Sequence, residues 1–521
     1  MKKLSAAIIC LLFLGIIFIS YSFGPEHNSG ENADQVRVTG GLISGVKSAS
    51  SDVVAFKGIP FAAPPVGELR WKGPQPVHPW AGVRKCDAFG PSPMQAKPVP
   101  FGVYTSEFLI PEQPISEDCL YLNVWTKAHA GEKKPVYMWI YGGGFSSGGT
   151  AVPIYDGEAL AKKGVIFVSV NYRVGIFGFL AHPDLTKESP DHASGNYGLL
   201  DQVAALKWIK KNIAAFGGDP NNITIGGQSA GSMSVNCLVA SPLARGLFNK
   251  AIAESGSFMI TSPMLQSGSL QAAEQQGAKL ALTVHASTLA ELRNVPAADL
   301  MKIPGRYSPI VDGYVLPKPV PEIFSEGKQN KVPLLTGWNA DEAFASFKKK
   351  DAFIEQAKQQ YGKDADEFLK YYPASTDEDA MRSQIKLSRD MIFAASGYKW
   401  AGIQSATGQS PVYLYYFARK LPATPDYVKY GAFHTGEVAY VMDNLKFLNR
   451  PWEPQDQKLA NLMSSYWVNF IKNGNPNGPG LPVWPAYNKN TAEAMVFDKK
   501  SGKESLPDKD ELQFMVTRME K

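Results

Sequence analysis

Cysteine is scarce in this chain, with four in 521 residues, and no two of them form a C-x-x-C pair. No H-E-x-x-H occurs either, so nothing has the spacing of a structural or catalytic metal site. Charge of one sign is also lacking. The formal net charge is +5, and basic residues gather only in short clusters such as Lys348-Lys349-Lys350. That excludes the basic stripe of a nucleic-acid-binding protein. Beyond the N-terminus no apolar run is long enough to span a bilayer. What is present is a composition of 44% hydrophobic and 19% charged residues, which suits a large folded core and not a disordered chain.

The N-terminus is a different material. Lys2 and Lys3 precede an apolar run from Ala6 to Phe23, with Ser20 and Ser22 as small residues near its end. This is the plan of a secretory signal peptide over residues 1–24, so the mature chain of residues 25–521 is expected to be exported, periplasmic or secreted. An uncleaved N-terminal anchor is the alternative, and the sole membrane contact expected. Export leaves Cys86, Cys119 and Cys237, whose natural arithmetic is one disulfide and one thiol. Cys237 falls in an apolar helical stretch, where it reads as a small buried residue.

Apolar, β-rich runs at 135–140, 165–170 and 223–225 alternate with a helical stretch at 198–215, whose Leu199, Val203, Leu206, Ile209 and Ile213 share one face. Runs at 332–337 and 412–417 supply two more strands. The charged, helix-prone stretch 345–400 between them suggests an insertion over one end of the sheet. The expected class is α/β, a mostly parallel sheet covered on both sides. No repeat and no long linker divides residues 25–521, so a single domain with elaborate loops is expected.

The segment Thr224-Ile225-Gly226-Gly227-Gln228-Ser229-Ala230-Gly231 ends a β-branched run in G-x-S-x-G. A serine on a sharp strand-to-helix turn presents its hydroxyl clear of its own backbone, and Gly227 and Gly231 let the helix double back over the strand. Serine needs a base to take its proton and an acid to orient that base. The G-x-S-x-G turn resembles that of the α/β-hydrolases, whose chain order is Ser, then Asp/Glu, then His. Of seven histidines only His285 and His434 follow Ser229. His285 sits in a polar, helix-like stretch and reads as solvated. His434, in Gly431-Ala432-Phe433-His434-Thr435-Gly436, lies in a loop after a strand, where the base belongs. The acid falls between them. Asp341 and Glu342 follow the 332–337 strand, and periodicity does not choose between these neighbours; Asp312, in Val311-Asp312-Gly313, looks like a turn residue. Ile140-Tyr141-Gly142-Gly143-Gly144-Phe145 follows a buried strand in the manner of an H-G-G-G oxyanion motif, whose N–H groups are joined by that of Ala230. It lacks the third glycine of a dinucleotide loop and any following Gly-Lys-Ser/Thr, so no nucleotide cofactor is expected.

Four further stretches carry a family resemblance: Gly58-Ile59-Pro60-Phe61 through Leu69-Arg70-Trp71, Ser116-Glu117-Asp118-Cys119-Leu120-Tyr121-Leu122-Asn123-Val124, Asn171-Tyr172-Arg173-Val174-Gly175, and residues 196–231 with Phe216-Gly217-Gly218-Asp219-Pro220-Asn221 inside them. Together they resemble the type-B carboxylesterase family, which includes the cholinesterases and bacterial para-nitrobenzyl esterases. The likeness runs on to Tyr466-Trp467-Val468-Asn469-Phe470 and Asn475-Pro476-Asn477. It implies an α/β-hydrolase fold with loop and helical insertions forming a gorge, and a serine carboxylesterase that needs no cofactor or metal. Its implied triad is Ser229, Glu342 and His434, with Asp341 structural, and its implied oxyanion donors are Gly143, Gly144 and Ala230. It also implies ion pairs Arg70–Glu117 and Arg173–Asp201.

Two departures stand out. The family usually bridges Cys119 to a cysteine shortly before Gln95, but Pro93 occupies that place, so Cys86–Cys119 is the substitute pairing expected. Many relatives carry Glu before the serine, whereas Gln228 is neutral, so no special preference for quaternary-ammonium substrates is expected. The segment 95–116 corresponds to the loop over the gorge. Its Phe101, Tyr104 and Phe108, with Gln228, are the expected substrate contacts, fitting a neutral, apolar acyl or aryl ester. The rival readings are an adhesion module, disfavoured by the intact triad, and a lipase working at lipid interfaces.

Overall fold

The computed structural model describes residues 34–260, 268–343, 347–424 and 428–520; the signal segment expected at 1–24 lies outside them. Among the described residues no helix is long and apolar enough to cross a membrane.

The framework is an 11-stranded sheet. Its strands, in chain order, are β1 (Val46–Lys47), β2 (Val54–Pro60), β3 (Tyr121–Thr126), β4 (Lys134–Ile140), β5 (Ile166–Val170), β6 (Gly218–Gln228), β7 (Lys250–Glu254), β8 (Leu334–Asn339), β9 (Val412–Phe417), β10 (Glu493–Phe497) and β11 (Gly502–Ser505). They lie side by side as β11-β10-β9-β8-β7-β6-β4-β5-β3-β2-β1. From β10 across to β5 every pairing is parallel; β3, β2 and β1 at one edge and β11 at the other join antiparallel. β5, β7, β8 and β9 are buried at every position. Continuous burial without alternation is what a sheet covered on both faces requires.

The expected strands are present, with β6 reaching further back than 223 through a register shift between Gly218 and Ile223. The helical stretch becomes α1 (Tyr197–Asn212) followed by a 3-10 turn, Ile213–Phe216, and Gly217 at φ +83° stops it. Leu199, Val203, Leu206, Ile209 and Ile213 are all buried. α2 (Ala230–Ala240) follows the serine, and Cys237 is buried on it. The described part of the 345–400 stretch, from 347 on, is mostly helical, and its last helix, α3 (Ala395–Thr407), packs along β8 and β9.

Both implied ion pairs form. Arg70 meets Glu117 through Nε at 2.7 Å and Nη2 at 2.5 Å, and its Nη1 donates to the carbonyls of Arg293 and Val295. Arg173 meets Asp201 through Nε at 2.8 Å and Nη2 at 2.7 Å, with both side chains almost wholly buried.

The Cys86–Cys119 disulfide is not formed: both are buried free thiols. The carbonyl of Cys86 accepts from Lys57 in β2, while Cys119 lies near the far end of that strand, where Phe61 donates to Leu120. Four residues of extended chain span roughly 13 Å, beyond the ~7 Å Cα separation a disulfide tolerates. Burial pushes the Cys86 thiol up to about 11 and holds that of Cys119 well above the ordinary range.

Candidate active site

The chemistry-bearing residues all sit just beyond the carboxyl ends of β4, β6, β8 and β9, where open α/β sheets place their ligands. Between β6 and α2 the chain turns so sharply that Ser229 takes φ 59°, ψ −125°, a conformation side chains avoid. Its N–H is held by the carbonyl of Glu254 at 2.8 Å. A Cβ on Gly231 would stand 2.0 Å from the Ile140 carbonyl oxygen, and one on Gly227 2.5 Å from the same atom. The two glycines of the motif are therefore demanded by the approach of α2 to the end of β4.

The segments after β8 and β9 are zipped together. Asp341 N–H donates to Ala432 O at 3.0 Å, and Ala432 N–H donates back to the Asp341 carboxylate at 2.8 Å. Asn339 Nδ2 donates to Phe433 O at 2.9 Å. Gly431, at φ +59°, admits the Asp341 carboxylate, which would stand 2.1 Å from any Cβ there. This clasp brings Glu342 Oε1 to 2.7 Å from His434 Nδ1, with both residues buried. Spacing left Asp341 and Glu342 undecided. The structure separates them, because Asp341 spends its carboxylate on the loop and Glu342 meets the imidazole. His285 is exposed, and Asp312 closes a turn through the N–H groups of Tyr314 and Leu316.

The His434 ring stacks on Phe393, with centroids 4.4 Å apart and planes 15° apart. Gln228 Nε2 lies 3.1 Å from His434 Nε2 and 3.4 Å from Nδ1. The residue expected to contact substrate is thus also a neighbour of the imidazole. Tyr104 reaches the same residue from the backbone side, donating its hydroxyl to the His434 main-chain carbonyl at 3.1 Å.

Gly143 (φ +116°) and Gly144 (φ +60°) form the glycine turn after β4, and a Cβ on Gly143 would fall 2.3 Å from Ser147 O. Among the described residues the N–H groups of Gly143, Gly144 and Ala230 have no protein acceptor. Unspent donors at the mouth of a helix suit an oxyanion.

These groups share the wall of one cavity of about 620 Å³, ample for a small organic molecule. Ser229, His434, Gly143, Gly144, Ala230 and Gln228 line it, roofed by Phe101, Tyr104 and Phe108 from the 95–116 segment. Phe108 is buried and packs edge-on to Tyr104 and Phe433, whereas Phe101 is 61% exposed at the mouth.

Sequence reasoning passed over Phe393, Arg306 and two buried acids. Glu254 ends β7, directly before Ser255-Gly256, and Glu437 stands three residues after His434, which were the available signals. Glu254 accepts from the Trp467 indole at 2.8 Å, and Glu437 accepts from Asn339. Burial pushes Glu254 up to about 8. Burial, then the charges of Glu254 and Glu342, hold Glu437 well above the usual carboxylate range. A carboxyl whose folded value is raised stabilises the fold fully below its unfolded value and loses that contribution as pH rises through the folded one. The thermal midpoint is expected to fall from about pH 5 to about pH 9, and Glu254→Gln, which keeps an oxygen for Trp467, is expected to flatten the fall. Melting curves across that range check it; an unchanged slope in the variant would count against the assignment.

The sequence pattern of the Carboxylesterase family matches residues 32–515. The chain is 38% identical to fumonisin B1 esterase of Sphingopyxis macrogoltabida, over 88% of this chain and 85% of that one. It is 36% identical to para-nitrobenzyl esterase of Bacillus subtilis (strain 168), over 89% and 95%, and 33% identical to liver carboxylesterase 1 of Oryctolagus cuniculus, over 91% and 90%. With the parallel sheet and the serine turn already in place, these matches settle the class: the chain belongs to the carboxylesterase family, has the α/β-hydrolase fold, and is a carboxylic ester hydrolase.

Proposed function

We propose that Ser229 is the nucleophile, His434 its general base and Glu342 the acid that orients the imidazole. Gly143, Gly144 and Ala230 serve as the oxyanion donors. The observation that carries this reading is the meeting, on one cavity wall, of Ser229, the His434–Glu342 pair and three unspent N–H groups. His434 takes the serine proton as the oxygen attacks the ester carbonyl. The tetrahedral oxyanion rests on the three N–H groups, and His434 then protonates the departing alcohol. Water repeats the sequence on the acyl-enzyme.

The wall beside Ser229 is apolar, with Phe108, Ile110, Val152, Met233, Phe258 and Ile392 supplying much of it. It favours a neutral, apolar acyl or aryl group at the scissile bond. Gln228 brings no charge beside the serine, so choline esters are expected to be no better substrates than neutral esters of equal size. A panel varying acyl length and alcohol, with aryl, hydroxycinnamoyl and choline esters, measures this as kcat/KM. A marked choline preference would overturn the Gln228 argument, and a jump in rate above the solubility limit of a triglyceride would favour the lipase reading. Export remains our reading of the Lys2-Lys3 and Ala6–Phe23 pattern, with a retained anchor as the alternative that the mass of the mature chain distinguishes.

A further inference from the structure

The cavity wall is one-sided in charge. Apart from His434, its charged side chains among the described residues are Lys97 and Arg306, and it carries no Asp or Glu. Lys97 is already paired with Glu112 at 2.7 Å. Arg306 is exposed and makes no hydrogen bond or ion pair among the described residues. Its segment is nevertheless anchored. A few residues on, Asn196 is bound in both directions to the Ile310 backbone, Nδ2 to O at 2.8 Å and Oδ1 from N at 3.0 Å. Val311 N–H then donates to Gly268 O at 3.0 Å.

A guanidinium with no partner among the described residues, on the wall of an apolar cavity where those residues place no carboxylate, is arranged for an anion that arrives with the substrate. Low-dielectric walls sharpen its field. We infer that Arg306 is a specificity-determining residue and that the enzyme takes esters carrying a free carboxylate remote from the scissile bond, the apolar portion lying along the inner wall and the carboxylate at Arg306. Such a group contributes equally to substrate and transition state, so its effect belongs in KM and not kcat. The inference rests on the triad reading of Ser229 and His434.

The test uses matched ester pairs differing in one terminal group, carboxylate or carboxamide, in graded chain lengths. In one arm that group ends the acyl chain; in the other it ends the alcohol. The purified enzyme is expected to prefer the carboxylate member roughly tenfold in kcat/KM in one arm, through KM. Added salt is expected to erode the preference. Arg306→Gln is expected to collapse the ratio towards one, and Arg306→Lys to restore part of it. A wild-type ratio near one in both arms, or a ratio untouched by Arg306→Gln, overturns the inference while leaving the esterase reading intact. Failure of the wild-type enzyme to cleave either member of any pair overturns the triad reading and this inference together.

Discussion

Ser229→Ala is expected to lower ester hydrolysis by about 10⁶-fold, to the rate left by binding and the oxyanion donors alone. The fold should survive, because what holds the turn is backbone: the Ser229 N–H to Glu254 O, and Met233 N–H to Ser229 O at 2.9 Å. Alanine tolerates the φ 59° position no worse than serine does. A companion, Glu342→Gln, is expected to cost about 10⁴-fold, since an amide can donate to Nδ1 and hold the imidazole in the wrong tautomer. Single-turnover and steady-state rates, with circular dichroism to confirm the fold, read both. Turnover retained in Ser229→Ala would sink the mechanism.

The largest effect on stability is expected at the pair behind β5. Asp201, on α1, accepts from Arg173 three times: Nε at 2.8 Å, Nη2 at 2.7 Å and its backbone N–H at 3.0 Å. Arg173 Nη1 donates to Lys72 O at 2.8 Å, tying the pair to the Leu69-Arg70-Trp71 turn. Asp201→Ala leaves a guanidinium at 2% exposure without its counter-charge, a cost of about 3–5 kcal/mol. Urea unfolding should show a clearly lower midpoint. Arg173→Met combined with Asp201→Ala should recover part of the loss, because removing both charges spares the lone one its burial. A midpoint unmoved by Asp201→Ala would mean the pair is dispensable.

The parts of this architecture that were legible in the sequence are those written locally. β4, β5 and β9 are mostly apolar runs, and α1 repeats its core residues at helical spacing. G-x-S-x-G and the glycine triplet were legible because steric demands leave few residues to choose from. What was illegible involves partners far apart in sequence. Tyr104 reads as an aromatic lid residue, yet its hydroxyl serves His434, 330 residues away. Gln228 reads as a substrate neighbour, yet it packs beside an imidazole 206 residues on. The Cys86–Cys119 pairing failed for the same reason: residue spacing says nothing of where along β2 each cysteine falls.

The clasp between the segments after β8 and β9 also has a bearing on the history of each molecule. Glu342 and His434 are 92 residues apart, and their meeting needs β9 seated beside β8 and the Asp341–Ala432 clasp closed. A chain still emerging from the ribosome can own a finished serine turn and a finished glycine turn, both built from earlier strands, and remain chemically silent. On the proposed triad, hydrolysis is expected to switch on only once β9 is seated beside β8. In a refolding mixture, appearance of ester cleavage is therefore expected to timestamp the seating of β9 on β8, later than any signal from α1 or β4 alone.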